Sequence, residues 1–161
     1  MPMQQLAEML NGVGCQNVQT YIQSGNVLLQ HSESNAQVLS KTLADAMLQT
    51  FGFEPQLLLL TLAQFEQAAV NNPFPDAQSE PKTLHVFFLA EPSTASTLEP
   101  LSMIQVESES FSLVGQVFYL HAPAGIGRSK LAAKVEKLLG VPTTARNWNT
   151  VSKLLTLANQ N

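Results

Sequence analysis

The chain is poor in charge, in cysteine and in long apolar runs, and each shortage excludes something. Charged residues make up 12% of its 161 residues, about half the roughly 25% usual in globular domains. Gln, Asn, Ser and Thr supply the polar surface instead, a composition that repels itself weakly and fits association with a copy or a partner. The single cysteine, Cys15, excludes an intrachain disulfide and points to a reducing compartment. No apolar run approaches the ~20 residues of a membrane span. Residues 1–10 hold no basic residue and no unbroken apolar stretch, so no signal peptide is expected. The expectation is a cytoplasmic protein with no membrane association. A chain of this length buries about 68–70% of its unfolded surface and needs no metal to hold a core.

What charge there is lies unevenly. Residues 1–124 set Lys41 and Lys82 against eleven acids, a net −9. Residues 125–161 set Arg128, Lys130, Lys134, Lys137, Arg146 and Lys153 against Glu136, a net +5. A basic final quarter attracts an anion or nucleic acid, or docks on the chain's own acidic half or another subunit.

Met3, Leu6, Ala7 and Leu10 recur on one helical face, with Gly12 placed to end a first helix. Residues 18–30 read as two strands joined at Ser24-Gly25-Asn26. Ser34 and Gln37 have capping-box spacing and open a second helix, which buries Leu39, Leu43, Ala46 and Met47 and ends at Gly52. Residues 57–60 form a short continuous apolar run, as a strand covered on both faces does, with Pro55 at its start. Thr61 and Gln64 repeat the capping-box spacing before a third helix. The breaker-rich stretch at 71–76 is the expected linker. Beyond it come a strand at 84–89, a weak helix near 94–104, and a hairpin of 111–114 and 117–121. A helix over 129–139 closed by Gly140 follows, then a strand at 144–148 and a last helix over 150–158 with Asn149 as its N-cap.

The order of elements is the useful result. The second half reads β-α-β-β-α-β, the ferredoxin-like order, and the first half reads the same without its opening strand. The expected fold class is therefore α+β, two tandem ferredoxin-like lobes over residues 1–72 and 73–161, the first lobe missing its opening strand. The duplication rests on element order alone, since residue similarity between the halves is slight. That first strand is central in such a sheet, so its loss leaves neighbours with unpaired backbone groups. A homodimer or an exchanged strand is one expected remedy.

Three segments carry a family resemblance. Thr20-Tyr21-Ile22-Gln23-Ser24-Gly25-Asn26-Val27, Gly125-Ile126-Gly127-Arg128-Ser129-Lys130-Leu131 and Thr144-Ala145-Arg146-Asn147-Trp148-Asn149-Thr150-Val151 together resemble the bacterial family called domain of unknown function 1697, over nearly the whole chain. The family typically begins with a strand resembling Ala-Leu-Leu-Arg-Gly-Ile-Asn-Val-Gly-Gly before the first helix, a segment this sequence does not contain. The resemblance implies a tandem α/β fold, and it implies no activity, cofactor or catalytic residue.

Candidate site residues fall in the same three segments. Gly125, Gly127, Arg128 and Lys130 lie on a glycine-rich turn entering a helix, where free N–H groups and positive charge cradle a phosphate. The spacing is neither Walker A nor the dinucleotide fingerprint, and the plain alternative is a turn with Ser129 as N-cap. Arg146, Asn147 and Trp148 offer a guanidinium fork and a stacking ring, or a core tryptophan beside a helix cap. Tyr21, Gln23, Ser24 and Asn26 are hairpin residues or a polar rim for a ligand.

Catalytic constellations are poor. His31, His85 and His121 lack metal-site spacing, with His85 expected as a satisfied strand residue and His121 the better placed for proton transfer. Neither Ser24 nor Ser129 sits in a nucleophile elbow, and Cys15 reads as inert. Glu107 and Glu109 read as a surface pair where a strand begins. No metal or cofactor is expected. The leading expectation is a cytoplasmic binding module for a phosphorylated or other anionic ligand near Arg128, Lys130 and Arg146, with low nucleic-acid affinity at physiological salt because the net charge is −4. The alternatives are a small-molecule enzyme completed by the family's amino-terminal segment, and a partner-binding protein with no small ligand.

Overall fold

The computed structural model describes residues 2–21 and 25–160. The chain divides into two compact units, one of Met1–Ala63 with Thr156–Asn161 and one of Gln64–Leu155. The fold class is α+β, with six α-helices and two separate antiparallel sheets among the described residues.

The first unit contains α1 (Met3–Gly12), β1 (Gln16–Tyr21), β2 (Asn26–Gln30) and α2 (Ala36–Phe51). Leu6 and Leu10 of α1 meet Leu43 and Met47 of α2, with Cys15, to form its core. The chain leaves α1 through Gly14 at φ 95°, against His31: a Cβ there would stand 3.3 Å from Nε2. His31 bridges two segments, since its Nδ1 accepts from the Glu33 amide at 2.9 Å and its Nε2 meets the Val13 carbonyl at 2.9 Å. Those partners require the proton on Nε2. α2 is capped by Asn35, whose Oδ1 accepts from the Gln37 and Val38 amides. The expected cap was Ser34. The shift of one position follows from Glu33, which accepts from the Asn35 amide and fixes the turn ahead of the helix. Gly52 ends α2 in the left-handed region at φ 80°, where glycine avoids the Cβ penalty.

Residues 57–60 are not a strand. They make no backbone–backbone hydrogen bond among the described residues, and β1 and β2 alone form the sheet of this unit. Leu57 and Leu59 still pack on the core, beside Val18, Val27 and Leu29. Burial of alternate side chains holds the segment there, but a ladder needs a neighbouring strand and none lies beside it among the described residues.

The second unit contains α3 (Leu62–Val70), β3 (Leu84–Leu89), α4 (Glu99–Ile104), β4 (Ser110–Val114), β5 (Val117–His121), α5 (Lys130–Leu139), β6 (Thr143–Asn147) and the start of α6 (Trp148–Asn159). Its sheet runs β4-β5-β3-β6, antiparallel throughout. β3 is central and all six of its residues are buried, the pattern of a strand covered on both faces. One face presents Phe87, Leu89, Phe118 and Leu120 to Leu131, Val135 and Leu139 of α5 and Leu101 of α4. On the other, Phe88 stacks on Phe65 of α3 at 5.5 Å, and the Tyr119 hydroxyl reaches the Ala68 carbonyl.

Three expectations change in this unit. The helix expected near 94–104 starts at Glu99, because Ser93 and Thr94 are held by the Leu139 carbonyl and Pro100 fits only a first helical turn. Asn147, not Asn149, caps α6: its Oδ1 accepts from the Thr150 amide at 3.0 Å, and Asn149 is exposed. Glu109 is buried rather than superficial, its carboxylate accepting from the Val106 amide. No helix among the described residues is long and apolar enough to cross a membrane.

Candidate functional site

The glycine turn is built as a helix entrance. Gly125 takes φ 104°, Ile126–Arg128 form one 3-10 turn, and Ser129 then caps α5 through Oγ, which accepts from the Ala132 amide at 3.0 Å. The capping hydroxyl satisfies one first-turn donor and leaves those of Lys130 and Leu131 without a side-chain acceptor. Arg128, Gly127 and Lys130 are exposed, and Ser129 is buried. Positive charge and a positive helix end therefore coincide on the surface at Gly127, Arg128 and Lys130.

The charge continues along the helix. Lys130, Lys134 and Lys137 follow i, i+4, i+7 spacing, which sets them on one face of α5, and all three are exposed. Lys134 and Lys137 border a shallow groove of about 340 Å³ whose floor is Pro100, Met103, Ile104 and Leu138. The lysine spacing was visible in the sequence. The groove was not, because it depends on how α4 lies against α5.

β6 carries the second set. Arg146 pairs in register with Val86, and Asn147 with His85. Side chains alternate along a strand, so Arg146 shares a face with Val86 and Phe88, while α5 covers the opposite face with Phe87 and Leu89. Arg146 therefore lies on the sheet face opposite α5, the helix that Arg128 and Lys130 flank at its start. Its guanidinium is partly buried and donates to the Ala145 carbonyl at 2.8 Å, and desolvation lowers its pKa. Trp148 is buried and its ring is a core group, while Asn147 is occupied as a helix cap.

His85 is the residue that sequence reasoning placed but misjudged. It is buried, and its Nδ1 has no partner. Burial lowers its pKa, opposed by a backbone hydrogen bond at Thr83, so the ring is neutral at pH 7. His121, half-buried at the end of β5, lies against the Phe74 ring at 6.2 Å.

In the first unit, Asn26 is buried and its Nδ2 donates to the Tyr21 carbonyl at 3.1 Å, across the Tyr21–Asn26 pair that closes β1 and β2. Gly25 turns at φ 92°. Gln23 and Ser24 lie outside the described residues. Cys15 is buried, and burial raises its thiol pKa, the opposite of an activated nucleophile. Among the described residues no three His, Cys, Asp or Glu gather as metal ligands do.

A family model described as "Protein of unknown function (DUF1697)" matches residues 1–119, which stops short of the glycine turn and of β6. No curated protein matches the chain. Among solved structures, the chain is similar to the conserved bacterial protein SP0830 from Streptococcus pneumoniae. The TM-score is 0.64 at 22% identity, covering 98% of this chain and 88% of that one. At that identity the likeness concerns fold alone.

Proposed function

The chain belongs to the DUF1697 family of proteins of unknown function, and we propose that it is a cytoplasmic binding module for an anionic, phosphorylated ligand seated on residues 125–131. The architecture is read as two tandem ferredoxin-like lobes, the first without its opening strand. The antiparallel order β4-β5-β3-β6 supports that reading in the second unit. The succession α1, β1, β2, α2 and then residues 57–60 supports it in the first.

One observation carries the ligand reading. Lys41–Asp45 is the one ion pair among the described residues, so Arg128, Lys130, Lys134 and Lys137 have no carboxylate within 4.0 Å, although residues 1–124 carry a net −9. Within the second unit, docking of the basic segment on the unit's own acids therefore finds no support among the described residues. An unneutralised row of cations beside a helix N-terminus suits a phosphate. Arg146 is left out of the site because it belongs to the other sheet face. Duplex or single-stranded nucleic acid is the weaker candidate, since the whole chain is acidic at −4 and repels a polyanion outside this patch.

Thermal unfolding against inorganic phosphate, nucleotides and sugar phosphates tests the reading. A ligand at about 100 times its Kd stabilises by roughly 2.7 kcal/mol, a rise of a few degrees. The rise is expected to vanish in Arg128→Ala with Lys130→Ala and to survive in Arg146→Ala. No rise with any of these compounds, or a rise indifferent to the double substitution, sinks it.

A further inference from the structure

α4 has six residues and α5 has ten, and the shallow groove of about 340 Å³ lies where the two helices meet. Pro100, Met103 and Ile104 of α4 line it with Leu138 of α5, and Lys134 and Lys137 stand on the α5 side. The three α4 residues follow i, i+3, i+4 spacing, which makes them one helical face. Leu101 of the same helix is buried in the core, so α4 carries apolar side chains both towards the core and towards the groove. A single exposed apolar side chain is ordinary. Here Met103, 78% exposed and the one exposed methionine among the described residues, shares a concavity with three other apolar residues. The two lysines beside it are exposed. Glu99 and Glu136 belong to the same two helices, but neither lines the groove, and neither forms an ion pair among the described residues.

We propose that this groove is a docking site for an acidic amphipathic helix of a partner protein, whose apolar side chains seat on Pro100, Met103, Ile104 and Leu138 while its carboxylates meet Lys134 and Lys137. Charge complementarity selects the occupant: an apolar floor beside two cations without acid partners calls for apolar side chains flanked by acids. Helix-in-groove recognition presents that pattern, with apolar anchors at i, i+3 and i+4. Lys134 and Lys137 are separated by a rise of about 4.5 Å along α5, so glutamates one turn apart on a helix lying along α5 meet both. The unbranched thioether of Met103 adapts to the shape of what it touches. A small molecule fits less well, because small-ligand sites bury most of the ligand and this groove is shallow. A bilayer fits less well too, because the apolar floor is concave and the chain's net charge of −4 repels an anionic surface. The proposal is independent of the phosphate reading at residues 125–131.

A synthetic helical peptide of about four turns, with leucine at i, i+4 and i+7 and glutamate along both flanks, tests this on the full chain carrying isotope-labelled methionine methyl groups. The Met103 resonance, identified by its loss in Met103→Leu, is expected to move and saturate with a Kd below about 1 mM. Those of Met3, Met9 and Met47 should stay in place. Lys134→Glu with Lys137→Glu should weaken binding by about tenfold or more, and should instead bind a peptide in which lysine replaces each glutamate. Both lysines are exposed, so the double variant is expected to fold, and unchanged resonances of the other methionines check that it does. No movement of Met103 at about 1 mM peptide, equal binding of the glutamate and lysine peptides by the wild type, or binding indifferent to the charge reversal overturns the proposal. Movement with phosphatidylglycerol vesicles but not with the peptide overturns it in favour of a membrane surface. A free chain that is dimeric, with a Met103 resonance that moves only on dilution, overturns it in favour of a second copy.

Discussion

The Tyr119 hydroxyl donates to the carbonyl of Ala68, 51 positions earlier in the chain, so a wholly buried phenol ties α3 to the four-stranded sheet. The Ala68 carbonyl lies in the last turn of α3, where helix carbonyls have no partner within the helix. Tyr119→Phe keeps the ring but strands that carbonyl in a dry place. The expected loss is about 1–3 kcal/mol, read as a lower urea midpoint at unchanged m-value.

Burial also pushes the Tyr119 pKa up, from 10.0 to about 12. An acid with a raised folded pKa contributes stability in its protonated form, fully present below the unfolded pKa and lost as pH rises through the folded one. The wild-type chain should therefore lose stability between about pH 10 and 12 through this group, and Tyr119→Phe should lose less over the same window. Denaturant titrations of both proteins at three alkaline pH values decide it; parallel curves would exclude the assignment.

His85 gives the opposite case. Its pKa is lowered by burial, so the neutral ring stabilises the fold above the unfolded value, near 6.5, and that contribution disappears as pH falls below it. The unpartnered Nδ1 means that a polar atom is buried without return. His85→Leu, apolar and of similar reach, should be at least as stable as wild type at pH 7. It should also be less sensitive between pH 6.5 and 5. Midpoints at pH 7.5 and 5 suffice; a loss above about 2 kcal/mol at neutral pH would show that Nδ1 has a partner in solution.

The cap of α6 separates two neighbouring asparagines. Asn147→Ala removes the acceptor of the Thr150 amide and should cost about 0.5–2 kcal/mol. Asn149→Ala, on an exposed position within the first turn, should change stability by no more than about 0.5 kcal/mol. Thermal melts of the two variants side by side read the difference, and equal effects would place the cap elsewhere.

Asn149 was the natural candidate in the sequence because the strand was expected to run through Trp148. The strand instead stops at Asn147 and Trp148 enters the helix, a difference of one or two residues that periodicity does not resolve. Features decided locally were legible: Gly52 and Gly140 as left-handed caps, Ser129 as the cap of α5, the apolar run of β3, and the hairpin around Gly115. Features decided by partners were not. Residues 57–60 have the composition of a strand, yet strand identity depends on a neighbour that composition does not report. The candidate site was legible in part for the same reason. Arg128 and Lys130 flank Ser129 at one helix start, but which sheet face Arg146 takes depends on strand register, where a step of one residue moves a side chain to the other face.

Gly52 and Gly140 have nearly the same φ but different surroundings, and this separates backbone strain from crowding. A Cβ on Gly52 meets nothing within 4 Å, whereas a Cβ on Gly140 runs into the Thr94 Oγ1. Gly52→Ala should therefore cost only the left-handed penalty, about 1–2 kcal/mol. Gly140→Ala should cost more, because Thr94 cannot simply withdraw: its amide is bonded to the Leu139 carbonyl at 3.1 Å, and Ser93 donates to the same oxygen. Removing the obstructing hydroxyl in Thr94→Ala should bring the Gly140→Ala penalty down towards that at Gly52, while leaving the Gly52→Ala penalty unchanged. A double-mutant cycle measured by urea denaturation reads the coupling, expected at about 0.5–3 kcal/mol for residues in contact. Additive effects at Gly140 would show that the loop at 93–94 moves aside without resistance, so that the backbone angle alone makes glycine necessary there.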